Sequence, residues 1–114
     1  MALQNANPTT TKAWEKLQQH FQTMQTASMK EMFSEDASRA AKFHIKWEDF
    51  LVDYSKNRIN QETINLLLEL ANEVNLKQAI ASYFDGQAIN QTENRAVHHT
   101  ALRSPEKATV LVDG

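Results

Sequence analysis

The chain has 114 residues, 41% hydrophobic and 23% charged, with a formal net charge of −2 from 12 basic and 14 acidic side chains. That length makes at most one domain with a modest core, and a near-neutral balance with scattered basic residues offers no field for nucleic acid or an anionic membrane. The lack of cysteine excludes disulfides, thiolate metal sites and thiol chemistry, and with only two glycines no G-x-G-x-x-G or Walker loop can form.

In chain order, residues 1–10 read as a polar N-terminal arm. Pro8 with Thr9, Thr10 and Thr11 supplies helix-start chemistry, and Ala13, Trp14, Leu17, Phe21 and Met24 then recur at helical spacing, which predicts an amphipathic helix with one buried stripe. Ser28 and Glu31 match a capping box ahead of a short helix carrying Met29, Met32 and Phe33. The Met24, Met29, Met32 and Phe33 group reads as core filler rather than a partner groove. Glu35–Asp36 is expected to open a further helical turn through Ala41. At Phe43 the period changes to two: Phe43, Ile45 and Trp47 alternate with His44 and Lys46, and a second apolar run covers Phe50–Tyr54. This predicts a β-hairpin with Phe43, Ile45 and Trp47 buried, although its turn lacks the Asn-Gly or Asp-Gly signal.

Asn60 can cap a helix on which Ile64, Leu67, Leu68, Ala71 and Val74 share a face, with Glu62 at the positive end of its dipole. Leu76, Ile80, Tyr83 and Phe84 continue a second helical face until Asp85–Gly86 stops it. Asn90 to Glu93 can cap a short helix over Ala96–Leu102, broken by Ser104–Pro105, and Thr109–Val112 reads as a C-terminal strand. The expected fold class is therefore mainly α with a small β-hairpin and a C-terminal strand. No internal repeat is visible, and the whole reads as one compact unit.

Candidate chemistry is sparse. His98 and His99 are adjacent, so their rings diverge by about 100° on a helix and cannot readily chelate one ion. No metal is expected there; one buried, hydrogen-bonded ring beside one exposed ring is the plainer reading. Arg95 and His99 lie four apart and would share a helical face able to hold an anion or orient a sugar hydroxyl. They are the weak candidate site residues, set against a structural role in which Arg95 pairs with Glu93 or a downstream carboxylate. Asp53 to Arg58 place an acid, a base and a nucleophile within six residues, but neighbours in sequence do not converge in space. A structural role is expected: Tyr54 packed, Asn57 in a turn, Asp53 paired with Arg58.

Two stretches, Leu51–Asn60 (LVDYSKNRIN) and Ile89–Arg103 (INQTENRAVHHTALR), followed by Leu111–Gly114 (LVDG), carry the strongest signal. In this order they resemble the glucose-6-phosphate isomerase family, whose pattern reads roughly L-[VL]-D-Y-S-K-N-R-I, then G-x-x-I-N-x-T-E-x-R-A-V-L-H-x-A-L-R, then I-L-V-D-G. His99 matches the family histidine, whereas His98 stands where the family has leucine. The resemblance implies that residues 1–114 form a single N-terminal segment of a longer enzyme with an α/β, double sugar-isomerase-type fold, acting as a homodimer when full length. It further implies interconversion of glucose 6-phosphate and fructose 6-phosphate through a cis-enediol, with no metal or organic cofactor. None of the family's catalytic glutamate, histidine and lysine, nor its serine/threonine phosphate loop, falls on a residue of this chain, so the 114 residues alone are expected to be inactive. A sugar phosphate is the implied substrate; nucleic acid and membrane are not expected partners. No apolar run is long enough to span a bilayer and the first residues lack a secretory signal's apolar core, so a cytoplasmic location is expected. The alternative is a non-catalytic helical protein-interaction module or truncated paralogue. Leu67, Leu68, Ile80 and Phe84 are expected to leave apolar surface exposed, so that the chain self-associates or is less stable than a complete domain of its length.

Overall fold

The computed structural model describes residues 6–112. The first five positions of the expected arm and the closing Asp113–Gly114 of the LVDG motif lie outside the described residues. Contacts gather into two compact units, one over Lys12–Glu69 and the other formed by the stretches before and after it.

In the Lys12–Glu69 unit, helix α1 spans Lys12–Met24. Its buried residues are Ala13, His20 and Met24, while Phe21 is 56% exposed. This corrects the single stripe: at 100° per residue, Trp14 and Phe21 point about 80–100° away from Ala13, on the shoulder of the apolar sector rather than at its centre. Helix α2, Met29–Glu35, starts at Ser28, whose hydroxyl accepts from the Glu31 amide as the capping box requires. The next turn begins later than expected, as helix α3 over Arg39–Lys42. Asp36 instead stands ahead of it, accepting from the Ser38 amide and hydroxyl and pairing with Lys42.

Strands β1, His44–Trp47, and β2, Phe50–Asp53, form the expected antiparallel hairpin, with Ile45 opposite Val52 and Trp47 opposite Phe50. Its two-residue turn is made by Glu48 at φ 49°, in the left-handed region where a side chain is unfavourable, and Asp49. Of the face expected to be buried, only Phe43 is covered, at 5% exposure; Ile45 and Trp47 are 59% and 64% exposed. The strands and their pairing form where the sequence places them, but both are exposed at every position, so the expected buried face is not formed beyond Phe43.

Helix α4 spans Gln61–Glu73. Its first turn is closed reciprocally: Asn60 Oδ1 accepts from the Thr63 amide at 2.9 Å, and Thr63 Oγ1 accepts from the Asn60 amide at 3.1 Å. The side facing α1 carries Glu62, Thr63, Leu66 and Glu69, with Leu66 buried and Glu69 bonded to Lys16 at 2.6 Å. The expected apolar face lies elsewhere on the cylinder, Leu67 and Leu68 being about 100° and 200° round from Leu66, and they are 45% and 59% exposed. Three polar contacts, Lys16 with Glu69 and His20 with both Thr63 and Glu62, join α4 to α1, and Leu67 and Leu68 are left outward.

In the other unit, Asn7 caps a 3-10 turn at Pro8–Thr10. Helix α5 spans Leu76–Phe84, entered through Asn75 at φ 55° and stopped at Asp85–Gly86, as the sequence indicates. A 3-10 turn over His99–Arg103 replaces the helix expected over Ala96–Leu102. Thr109–Val112 is not a strand, because among the described residues no second strand bonds to it and an extended segment becomes a strand only through such pairing. About half the chain is helical and the only sheet among the described residues is the hairpin. Among the described residues no helix is long and apolar enough to cross a membrane.

Candidate functional site

The first signature stretch folds into a turn held from within. Arg39 is 4% exposed, and its guanidinium donates from Nε to the Ser55 carbonyl at 2.8 Å and from Nη2 to the carbonyls of Asn57 and Ile59 at 2.7 and 2.9 Å. The rings of Phe43 and Phe33 lie 4.6 and 5.6 Å from its Cζ, so the planar cation is stacked as well as hydrogen-bonded. A lysine could not reach three carbonyls from one fork. Ser55 is buried at 1%, and its amide donates to Asp53 Oδ1 at 2.9 Å. The Ser55 side-chain and backbone hydrogen bonds hold the Asp53 carboxyl below its ordinary value.

These contacts show which groups the polar side chains of this stretch bind. Asp53 serves Ser55 and does not pair with Arg58, whose Nη1 donates to the Gln25 carbonyl at 3.1 Å. Tyr54 packs edge-on against Phe43, with ring centroids 5.9 Å apart. Asn57 shapes the turn as expected, its carbonyl accepting from both Arg39 and the Ile59 amide. Arg39 escaped the sequence reading because it stands 16 to 20 residues from the carbonyls it binds, within an unremarkable Ser-Arg-Ala-Ala run. The aromatic residues at 33 and 43 were the available signal.

A second polar junction joins α1 to α4. His20, 8% exposed, has Nε2 2.7 Å from Thr63 Oγ1 and Nδ1 3.5 Å from the Glu62 carboxylate. The order hydroxyl, imidazole, carboxylate imitates a nucleophile with its base and orienting acid. Thr63 Oγ1, however, is already engaged with both the Asn60 amide and Asn60 Oδ1, so the hydroxyl closes a helix cap instead of facing a substrate.

The second signature stretch is also turn-forming. Asn90 Oδ1 accepts from the Glu93 amide and the Thr92 hydroxyl, Asn90 and Arg95 form an isolated bridge, and Asn94 adopts φ 48°. Arg95 pairs with Glu93, as the structural reading anticipated. Arg95 lies ahead of the 3-10 turn and His99 opens it, so the shared helical face does not form; both side chains are exposed. His98 is partly covered: its Nε2 is buried without a hydrogen-bond partner, and the ring lines a cavity of about 310 Å³ with Asp85, Thr100, Ser104 and Leu111. Gly86, at φ 69°, lies against the Leu111 carbonyl and within 2.8 Å of His98 Cε1 when given a methyl group, so glycine is required there twice over. Among the described residues no three His, Cys, Asp or Glu side chains gather as a metal site.

Both signature stretches thus build turns, and each consists of backbone held by side chains of fixed hydrogen-bonding capacity. The family model for phosphoglucose isomerase matches residues 53–114, which take in both turns, and the chain belongs to that family. Over 110 residues it is 57% identical to the glucose-6-phosphate isomerase of Christiangramia forsetii; the match covers 96% of this chain and 20% of that protein.

Proposed function

We propose that the chain is the leading segment of a glucose-6-phosphate isomerase, the enzyme that interconverts glucose 6-phosphate and fructose 6-phosphate, and that its own part is architectural. The observation carrying this reading is 57% identity sustained over 96% of the chain. A sugar phosphate is then the substrate of the whole enzyme, glycolysis and gluconeogenesis its setting, and a cytoplasmic homodimer its working form. The helices and hairpin would be the N-terminal part of its α/β sugar-isomerase fold, with residues 1–10 as an arm. The residues of both turns support an architectural role: Arg39, Asp53, Asn90 and Arg95 each bind the chain itself.

A coupled assay with fructose 6-phosphate tests the reading in two preparations. The 114-residue chain alone should give background only. A chimera in which it replaces the matched stretch of the Christiangramia forsetii enzyme should isomerise the substrate, and a folded but inactive chimera would count against an isomerase origin. Turnover by the isolated chain that disappears in Arg95→Ala or His99→Ala would overturn the architectural assignment.

A further inference from the structure

We propose that one face of the β1–β2 hairpin is a docking surface for isomerase polypeptide from outside these 114 residues. Strand alternation and register put Ile45 and Trp47 on the same face as their partners Val52 and Phe50, whereas His44, Lys46, Leu51 and Asp53 share the opposite face. The four apolar residues are 59%, 64%, 56% and 66% exposed in that order, and Trp47 and Phe50 stack with centroids 5.7 Å apart. The strip is therefore already ordered and apolar, yet bare. A two-stranded hairpin is marginal in water until a third strand or a packed layer covers its hydrophobic side.

Area and length decide the occupant. Four such side chains offer on the order of 400 Å² of surface, short of the ~800 Å² per partner that stable association between separate chains takes. A second copy of this chain is thus a poor occupant. Polypeptide of the same folded enzyme meets no such threshold, because it is tethered and loses little further translational freedom. The match covers 20% of the relative's length, so the relative contains ample polypeptide to supply the missing layer. This inference rests on reading the chain as part of an isomerase.

Hydroxyl-radical footprinting with residue-level mass spectrometry tests it on the chimera and on the dilute 114-residue chain. Oxidation of Trp47 and Phe50 should fall several-fold in the chimera relative to the isolated chain. Equal oxidation overturns the proposal, and protection that appears in the isolated chain as its concentration rises overturns it in favour of a second copy. Ile45→Lys should lower the thermal midpoint of the chimera and leave that of the isolated chain unchanged; equal effects on both would also count against docking. If the chimera does not fold, the same footprint at the aligned positions of the intact Christiangramia forsetii enzyme answers the question, protection supporting the proposal and full oxidation ending it. An active chimera with Trp47 still oxidised would remove the docking surface and leave the isomerase reading standing; an inactive one with Trp47 protected would do the reverse.

Discussion

At the scale of single residues, Arg39 organises more of the structure than any residue the sequence singles out. Replacing it with methionine keeps the stacked volume but takes the guanidinium donor from the carbonyls of Ser55 and Ile59 and leaves that of Asn57 with the Ile59 amide, and should cost about 3 kcal/mol in urea unfolding. Arg39→Lys should recover only part of that, because one ammonium cannot span the three acceptors. Asp36 gives a pH signature. Hydrogen bonds from the Lys42 side chain first, then from Ser38, lower its carboxyl from 3.8 to about 2. The unfolded carboxyl takes up its proton at the higher value, so between pH 3.8 and about 2 the unfolded state binds more protons and acid favours it. The contribution of Asp36 is whole above that window and lost as pH falls through it. In acid titrations of stability, Asp36→Asn should flatten this part of the curve. Gly86→Ala, against the Leu111 carbonyl and at positive φ, should destabilise its unit by about 1–2 kcal/mol or more, read as faster amide exchange around α5.

At the scale of elements, local signals were sufficient for α1, α2, the hairpin, α4 and α5, and α2 and α4 have side-chain caps, Ser28 and Asn60, that can be removed. Asn60→Ala deletes the acceptor for the Thr63 amide and should cost about 1 kcal/mol in thermal or chemical unfolding. The hairpin turn is a place to gain stability: Glu48→Gly relieves a side chain at φ 49° and should add a few tenths to about 1 kcal/mol, provided the greater freedom of the unfolded chain does not cancel it. A loss of hairpin signal in that variant would show that Glu48 makes a contact worth more than its strain. The 3-10 turn and the Thr109–Val112 segment depart from the local signals for two separate reasons. Asn90 begins a closed turn ending at Arg95 rather than a helix, and the extended segment needs a neighbour that no described residue provides.

For the whole molecule, the balance of burial is the governing fact. Among the described residues the buried apolar ones are Ala13, Met24, Phe43 and Leu66, whereas Leu67, Leu68, Ile80 and Phe84 are 45–66% exposed, as anticipated, together with the hairpin strip. Hydrophobic stabilisation follows the area removed from water, so so thin a core should give the isolated chain a shallow urea dependence and a broad thermal transition for its length. A steep, cooperative transition at high temperature would contradict this.

Periodicity, caps and the Asp85–Gly86 stop determined the order and kind of most elements from sequence alone, because they act through neighbours three or four residues apart. The two polar stretches likewise determined the family, since specific turn-building residues at fixed offsets survive as readable text. Only tertiary structure decided which faces are buried. Trp14 and Phe21 yield the core side of α1 to His20, α4 turns Glu62, Thr63 and Glu69 toward α1 instead of Leu67 and Leu68, and Arg39 reaches carbonyls far along the chain. Helical or strand spacing fixes which residues share a face, but what that face meets depends on partners distant in sequence, and for the hairpin strip none lies among the described residues.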